Sequence, residues 1–294
     1  QEFLNDKNIE RYVNKNNNLE TKKYNVVLIM VESLSAKFMG KFGNTESITP
    51  NLDKLADDSI FFTNFYATGT RTVRGLEAVS LSVPPTPGSS IIRRPNNANL
   101  FNASTIFKKA EYDISFIFGG YSYFDNLNKF FSSNSYKVID RSNFSSEEIS
   151  FSNVWGVADE DLLFKGLVEL DKNYQSGKPF FSLIMTTSNH RPYTFPEGRI
   201  DLPSGGGRNA AVKYTDYAIG KFFEEARKKE WFKDTIFVIT ADHCAASAGK
   251  VNLPVAQYHI PLMIYNPHIL KPKQVDNLAS QIDIIPTILG ILNL

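Results

Sequence analysis

The chain has 294 residues, room for one large α/β domain or two small ones, and 42% apolar with 13% aromatic residues is ample for a buried core. A net charge of +1 excludes a globally basic nucleic-acid binder, so any anion binding has to be local. The one cysteine, Cys244, excludes a disulfide within the chain, and no apolar run approaches the roughly 18–20 residues of a membrane span.

Residues 1–24 are polar, rich in Asn and Lys, and carry little apolar periodicity; a linker or a loosely docked helix is expected there. The first residue is Gln1, so a longer protein is expected, with any membrane or signal segment upstream. Residues 26–31 are continuously apolar, as in a strand buried on both faces of a parallel sheet, and they stop at Glu32. Thr49-Pro50-Asn51-Leu52 predicts a helix start, with Leu52, Leu55 and Ala56 forming its apolar face. Residues 60–66 predict a strand leading into the turn Gly69-Thr70-Arg71-Thr72-Val73-Arg74-Gly75, after which residues 76–82 are helix-like. Residues 83–88 are a loop by composition.

Strands are predicted over 113–118, ended by Gly119-Gly120, and over 178–185, running into Thr186-Thr187-Ser188-Asn189-His190. The loop 191–207 contains three consecutive glycines. No Lys-Ser/Thr pair follows and no strand precedes them, so a flexible loop is read rather than a phosphate loop. Residues 208–231 predict a helix with Ala211, Tyr214, Ala218, Phe222 and Ala226 on one face. Strands follow over 235–240, ending in Asp242-His243, and over 261–265, before an apolar segment from 282 to the C-terminus. Strands alternating with helices predict one α/β domain, with a mostly parallel central sheet and helices on both faces.

In open parallel sheets the site lies beyond the carboxyl ends of the strands. Glu32, His190, Asp242-His243 and the Thr72 turn all fall there. Taken singly each has a plain structural role: Glu32 a loop or helix-dipole partner, Asp242 an N-cap, Thr72 a helix cap. Together they make an oxygen-rich, one-nitrogen donor set suited to Mn²⁺, Mg²⁺ or Zn²⁺. A metal there would lower the hydroxyl's pKa and make Thr72 a nucleophile near neutral pH. Arg71 and Arg74 flank it, either clamping phosphate or merely solvated. Trp155 either stacks on a glycerol or sugar or anchors a loop. Cys244 reads as a packing residue, Asp216 as structural, and His268 belongs to no motif.

At this point the residues resemble a family. Asn25-Val26-Val27-Leu28-Ile29-Met30-Val31-Glu32-Ser33 resembles the opening strand of the sulfatase-like branch of the alkaline phosphatase superfamily. Thr49-Pro50-Asn51-Leu52-Asp53 resembles its following helix. Thr240-Ala241-Asp242-His243, Tyr258-His259-Ile260-Pro261-Leu262 and Gln281-Ile282-Asp283-Ile284-Ile285-Pro286-Thr287 resemble its later signatures, in the right order. Within that branch the likeness is greatest to lipoteichoic acid synthases and phosphoglycerol transferases, with Trp155-Gly156-Val157-Ala158-Asp159 and Ser188-Asn189-His190 in keeping. It covers about residues 24–294.

The resemblance implies a catalytic domain over 25–294 with one divalent ion, Mn²⁺ before Zn²⁺ or Mg²⁺, held by Glu32, Thr72, Asp242 and His243. It implies Thr72 as nucleophile, and His190 and His259 as phosphate ligands or as acid and base. The implied donor is a membrane phospholipid of the phosphatidylglycerol type, and the implied acceptor a glycan, a growing polymer or water, with no nucleic acid involved. The domain is then expected outside the cytoplasmic membrane, tethered by upstream helices. Sulfatases carry Cys or Ser, then Pro two residues on, then Arg two beyond that; Thr72-Val73-Arg74-Gly75 does not. Phosphoethanolamine transferases share the Thr and the metal set but usually carry several disulfides. A non-catalytic binding module ranks last, because every site residue is present.

Overall fold

The protein is described by a computed structural model over residues 23–245 and 254–294; the expected linker, up to residue 22, lies outside the described residues. The chain starts with β1 (Asn25–Val31), α1 (Pro50–Asp57), β2 (Ser59–Phe62), β3 (Phe65–Tyr66), α2 (Thr72–Leu81) and α3 (Ala103–Lys109). It continues through β4 (Asp113–Phe118), α4 (Leu127–Ser133), β5 (Lys137–Ile139), α5 (Asp159–Gln175), β6 (Phe180–Met185) and α6 (Arg208–Ala226). The last elements are β7 (Thr235–Ala241), β8 (Leu262–Tyr265), β9 (Lys273–Val275), β10 (Ala279–Ser280) and α7 (Ile284–Leu292).

Eight strands form the central sheet in the order β5-β4-β6-β1-β7-β8-β2-β9. Every pairing is parallel except those of β8, which runs antiparallel to both β7 and β2. The expected fold class, α/β with a mostly parallel central sheet, is therefore the observed one. Every residue of β1, β6 and β7 is buried, which requires cover on both faces of the sheet.

Strand β6 shows what supplies that cover, because its alternate residues face opposite ways. Phe181 stacks on Phe107 of α3, ring centroids 4.3 Å apart, and on the same face Phe116 of β4 stacks on Phe131 of α4. On the opposite face Ile184 lies so close to α5 that a Cβ on Gly166 would meet its Cδ1 at 3.0 Å. Each large apolar side chain fully removed from water there contributes about 1.5–3 kcal/mol.

The strand expected over 60–66 is broken in two. Thr63 donates its N–H to Val275 of β9, the chain leaves the central sheet, and β3 pairs with β10 in a separate two-stranded sheet. Helix α2 is thus reached from that small sheet, and it starts at Thr72, four residues before the expected 76. Helix α6 ends at Ala226, and residues 230–234 form a short 3-10 turn where the helix was expected to run to 231.

Helix α5 was not expected, although Leu162, Leu163, Leu167 and Leu170 keep helical spacing behind a first turn of Asp159, Glu160 and Asp161. The Thr49-Pro50-Asn51-Leu52-Asp53 motif proves to be a docking device. Asp216 of α6 accepts hydrogen bonds from the N–H groups of Asn51 (3.1 Å) and Leu52 (2.8 Å), capping α1 from a neighbouring helix. That is the structural role expected of Asp216.

Candidate metal centre

The register of two central strands assembles the centre. β1 and β7 pair with Val31 opposite Ala241, so the next residues, Glu32 and Asp242, leave the sheet side by side at its carboxyl edge. Ser33 adopts a left-handed backbone (φ 52°), and its N–H meets Asp242 Oδ1 at 2.8 Å. The N–H of His243 reaches the same oxygen at 2.7 Å. The Ser33 hydroxyl donates to Glu32 Oε1 at 2.7 Å, and Asn189 donates its side-chain amide to the Glu32 carbonyl at 2.8 Å.

Both carboxylates are out of water, Glu32 at 5% and Asp242 at 0% exposure. Asp242 Oδ2 is buried with no hydrogen-bond partner, which is costly for a carboxylate unless a cation sits against it. The His243 ring bonds through Nδ1 to the Cys244 carbonyl at 2.8 Å, which turns Nε2 toward Asp242 Oδ2 (3.4 Å) and Glu32 Oε1 (3.8 Å). A backbone carbonyl on the far ring nitrogen is the usual support of a metal-binding histidine. One ligand atom from each of Glu32, Asp242 and His243 lies within 4.8 Å of the others. The orphaned oxygen and the donor chemistry both fit a divalent ion.

The electrostatics point the same way. Burial, and then the neighbouring Asp242 charge, push the Glu32 carboxyl up to about 7, only partly offset by His243. Burial would lower His243, but Asp242 and Glu32 outweigh it and its pKa is raised. Both groups therefore hold protons more tightly in the folded than in the unfolded chain. Their contribution is full below the unfolded values and is lost as pH rises through the folded ones. The metal-free chain is expected to melt at lower temperature at about pH 8 than at about pH 5. Glu32→Gln should remove part of that slope and stabilise the metal-free chain at the higher pH by on the order of 1–3 kcal/mol. Melting in chelator checks it: a slope unchanged by the substitution would contradict the burial account.

Thr72 is the first residue of α2, and its hydroxyl lies 3.4 Å from Glu32 Oε2. Gly75, one turn on, explains how the helix comes so near. A Cβ there would meet the Asp242 carbonyl oxygen at 2.2 Å, so only glycine lets α2 pack directly on the strand end. Gln281 secures that strand end, donating to the carbonyls of Ala241 (2.9 Å) and Asp242 (2.8 Å).

These groups open into a cleft of about 730 Å³. Of the expected site residues, Glu32, Thr72, His243, Arg71, Trp155 and His190 line it, and Asp242 lies buried behind. Trp155 and His190 are in ring contact, centroids 3.6 Å apart. His190 is carried on a loop braced from below by Asp159, which accepts the N–H groups of Thr187 (2.9 Å) and Ser188 (3.0 Å) and the Thr215 hydroxyl (2.7 Å).

Two expected residues are placed elsewhere. Arg74 does not line the cleft; it pairs with Glu77 at 3.1 Å and bonds to the Gly88 carbonyl, because a buried carboxylate one helical turn away needs a counter-charge. His259 does not line the cleft either. Its Nε2 lies 2.8 Å from the Thr63 carbonyl, and its ring packs between Phe42 and Tyr66.

Four charged cleft residues were not anticipated: Arg93, Asp125, Arg191 and Arg208. Arg208 opens α6, bonds to the Asn189 carbonyl at 3.3 Å, lies over the Tyr193 ring, and opposes the charging of His243. One signal was available, since a cation at the start of a helix runs against the helix dipole and calls for another reason to be there.

A family model described as Sulfatase matches residues 24–294. The chain is 25% identical to lipoteichoic acid synthase 2 of Bacillus subtilis (strain 168), over 97% of its own length and 48% of that protein's. It is 24% identical to phosphoglycerol transferase I of Xanthomonas campestris pv. campestris (strain ATCC 33913), over 92% of its length and 41% of the relative's. The chain thus spans about half, or less, of the curated relatives it matches. Among solved structures it is 39% identical to a protein in the alkaline phosphatase superfamily from Vibrio parahaemolyticus, with a TM-score of 0.89, covering 94% of this chain and 68% of that one. The lipoteichoic acid synthase LtaP from Listeria monocytogenes, 23% identical with a TM-score of 0.82 over 93% of this chain and 73% of its own, has the same fold.

Proposed function

The chain belongs to the sulfatase family, within the alkaline phosphatase superfamily, and from that premise we propose that it transfers a glycerophosphoryl group from a phosphatidylglycerol-type lipid through Thr72. One observation carries the reading: a threonine hydroxyl at a helix start, 3.4 Å from a carboxylate of a buried Glu-Asp-His donor set, in a cleft that also holds arginines. The names of the relatives, lipoteichoic acid synthase and phosphoglycerol transferase, support the choice of group transferred.

Glu32, Asp242, His243 and Thr72 would hold one divalent ion, Mn²⁺ before Zn²⁺ or Mg²⁺, whose charge would acidify the hydroxyl and offset that of the phosphate. Thr72 gives up its hydroxyl proton to solvent, its Oγ1 attacks phosphorus, the P–O bond to diacylglycerol breaks, and protonated His190 gives the departing oxygen its proton; His190 recovers a proton from the acceptor hydroxyl in the second step. Arg208 and Arg71 receive phosphoryl oxygens, helped by the first turn of α2. Trp155, against His190, holds the glycerol end. A glycan, a growing polymer or water then attacks phosphorus and frees Thr72. His259 supports the β3 side of the site through Thr63 rather than touching substrate. Among the described residues no helix is long and apolar enough to cross a membrane. We place the domain at the outer face of the cytoplasmic membrane, where the lipid donor is.

A second head group, phosphoethanolamine, is favoured by one feature: the Asp125 carboxylate in the cleft, paired with Arg93 at 2.9 Å, would suit an ammonium. Incubation with Mn²⁺ and phosphatidylglycerol or phosphatidylethanolamine in parallel, following diacylglycerol release, tests both. Release from phosphatidylglycerol alone is the expected result; release from the ethanolamine lipid alone reverses the assignment, and release from neither refutes transfer from lipid.

A further inference from the structure

One wall of the cleft continues outward as an exposed aromatic rim. His190 contacts Trp155, Trp155 meets Phe124 edge-on with centroids 5.9 Å apart, and Phe124 is 51% exposed. Beside these lie Tyr123 and Val154, each 77% exposed, with Tyr121 stacked on Tyr123 at 5.7 Å. At the turn that projects this rim Asp125 and Asn126 have left-handed backbones (φ 56° and 64°), a conformation that Asp and Asn tolerate. The cleft mouth beside the rim carries exposed Arg71 and Arg191, together with Arg93, which is paired with Asp125 at 2.9 Å.

We infer that this rim is a membrane-contact surface that seats the cleft on an anionic phospholipid bilayer. The inference rests on the proposed lipid donor. A lipid with two acyl chains leaves a bilayer only by exposing them to water, so the cleft has to come to the membrane. Tyrosine and tryptophan favour the boundary between head groups and acyl chains, where the ring body is dry and the polar tip wet. Arginines at the mouth complement the negative surface, and their pull fades with salt. The ring contacts from Phe124 through Trp155 to His190 then lead from the bilayer into the cleft.

The test is sedimentation of the 294-residue chain with vesicles of phosphatidylglycerol and phosphatidylcholine, against vesicles of phosphatidylcholine alone. Tyr123→Ser with Val154→Ser is expected to weaken binding to the anionic vesicles about tenfold. Melting temperature, metal content and turnover of a water-soluble short-chain phosphatidylglycerol should stay at wild-type values. Phe164→Ser, which changes a 60% exposed aromatic on α5 outside the cleft, should have no effect. Wild-type failure to bind, unchanged binding by the double variant, or equal loss from Phe164→Ser would each overturn the inference. Binding that depends on the rim, with no lipid cleaved, would instead count against the proposed reaction and leave the surface standing.

Discussion

Thr72→Ala is expected to abolish turnover, a loss of about 10⁴-fold or more, as when the nucleophile of other covalent catalysts is removed. The bond to phosphorus forms on this oxygen, and alanine has nothing to replace it. The fold should be unaffected, because Thr72 is only partly buried and its side chain serves no packing contact that alanine's methyl group cannot keep. Metal should remain, held more weakly, since Glu32, Asp242 and His243 keep three of four donors. Wild-type protein given phosphatidylglycerol without an acceptor should accumulate a glycerophosphoryl adduct that peptide mass mapping places on Thr72. Thr70 also lines the cleft, but it precedes α2 and lacks the contact with Glu32. An adduct on Thr70, or full turnover by the alanine variant, would transfer the role.

The second large effect is expected at Asp242. Asp242→Asn keeps an oxygen to accept from the N–H groups of Ser33 and His243, so the strand end should hold its shape. It places an uncharged amide where Oδ2 now lies buried without a partner. Metal affinity should fall by more than the roughly 10–100-fold that loss of an outer-shell partner costs, and activity with it. The metal-free variant should be more stable than the wild type by on the order of 1–3 kcal/mol, because a buried carboxylate charge with no hydrogen bond to Oδ2 is gone. Metal analysis after dialysis and melting in chelator measure both. Full metal content in the variant would remove Asp242 from the centre.

Opposite signs for stability and metal binding are what a functional cluster should show. Glu32 lies buried beside Asp242 in a dry site, both effects raise the cost of charging it, and His243 offsets that only in part. The basic side chain set against them is His243, whose Nε2 lies 3.4 Å from Asp242 Oδ2 and 3.8 Å from Glu32 Oε1 and is itself a metal-ligand type.

Much of the candidate site was legible because its carriers are local. A run such as Val26 to Val31 is buried on both faces by its own composition, and a carboxylate ending it stands out without any knowledge of neighbours. The same holds for β7 and Asp242-His243, and for the hydroxyl-bearing turn before α2. Arg74 misled because it stands two residues from Thr72 in sequence, whereas one helical turn on is the buried Glu77 that claims it. His259 misled for a similar reason: its motif matches the family, but the β2–β3 break sets the Thr63 carbonyl against its ring. Helix α5 was passed over because its first turn had already been read as part of a motif.

The sequence by itself determined the fold class, and it marked the strand ends that bear the candidate ligands and their donor types, since each depends on residues within a few positions of one another. Tertiary structure alone decided that these ends meet. The parallel register of β1 on β7 sets Glu32 beside Asp242 across 210 positions, and Gly75 lets α2 bring Thr72 against them from a different sheet. It also decided which arginines face the cleft and raised a rim of aromatics at its mouth. Those outcomes depend on strand order and close packing between distant segments, which hydrophobic periodicity does not encode.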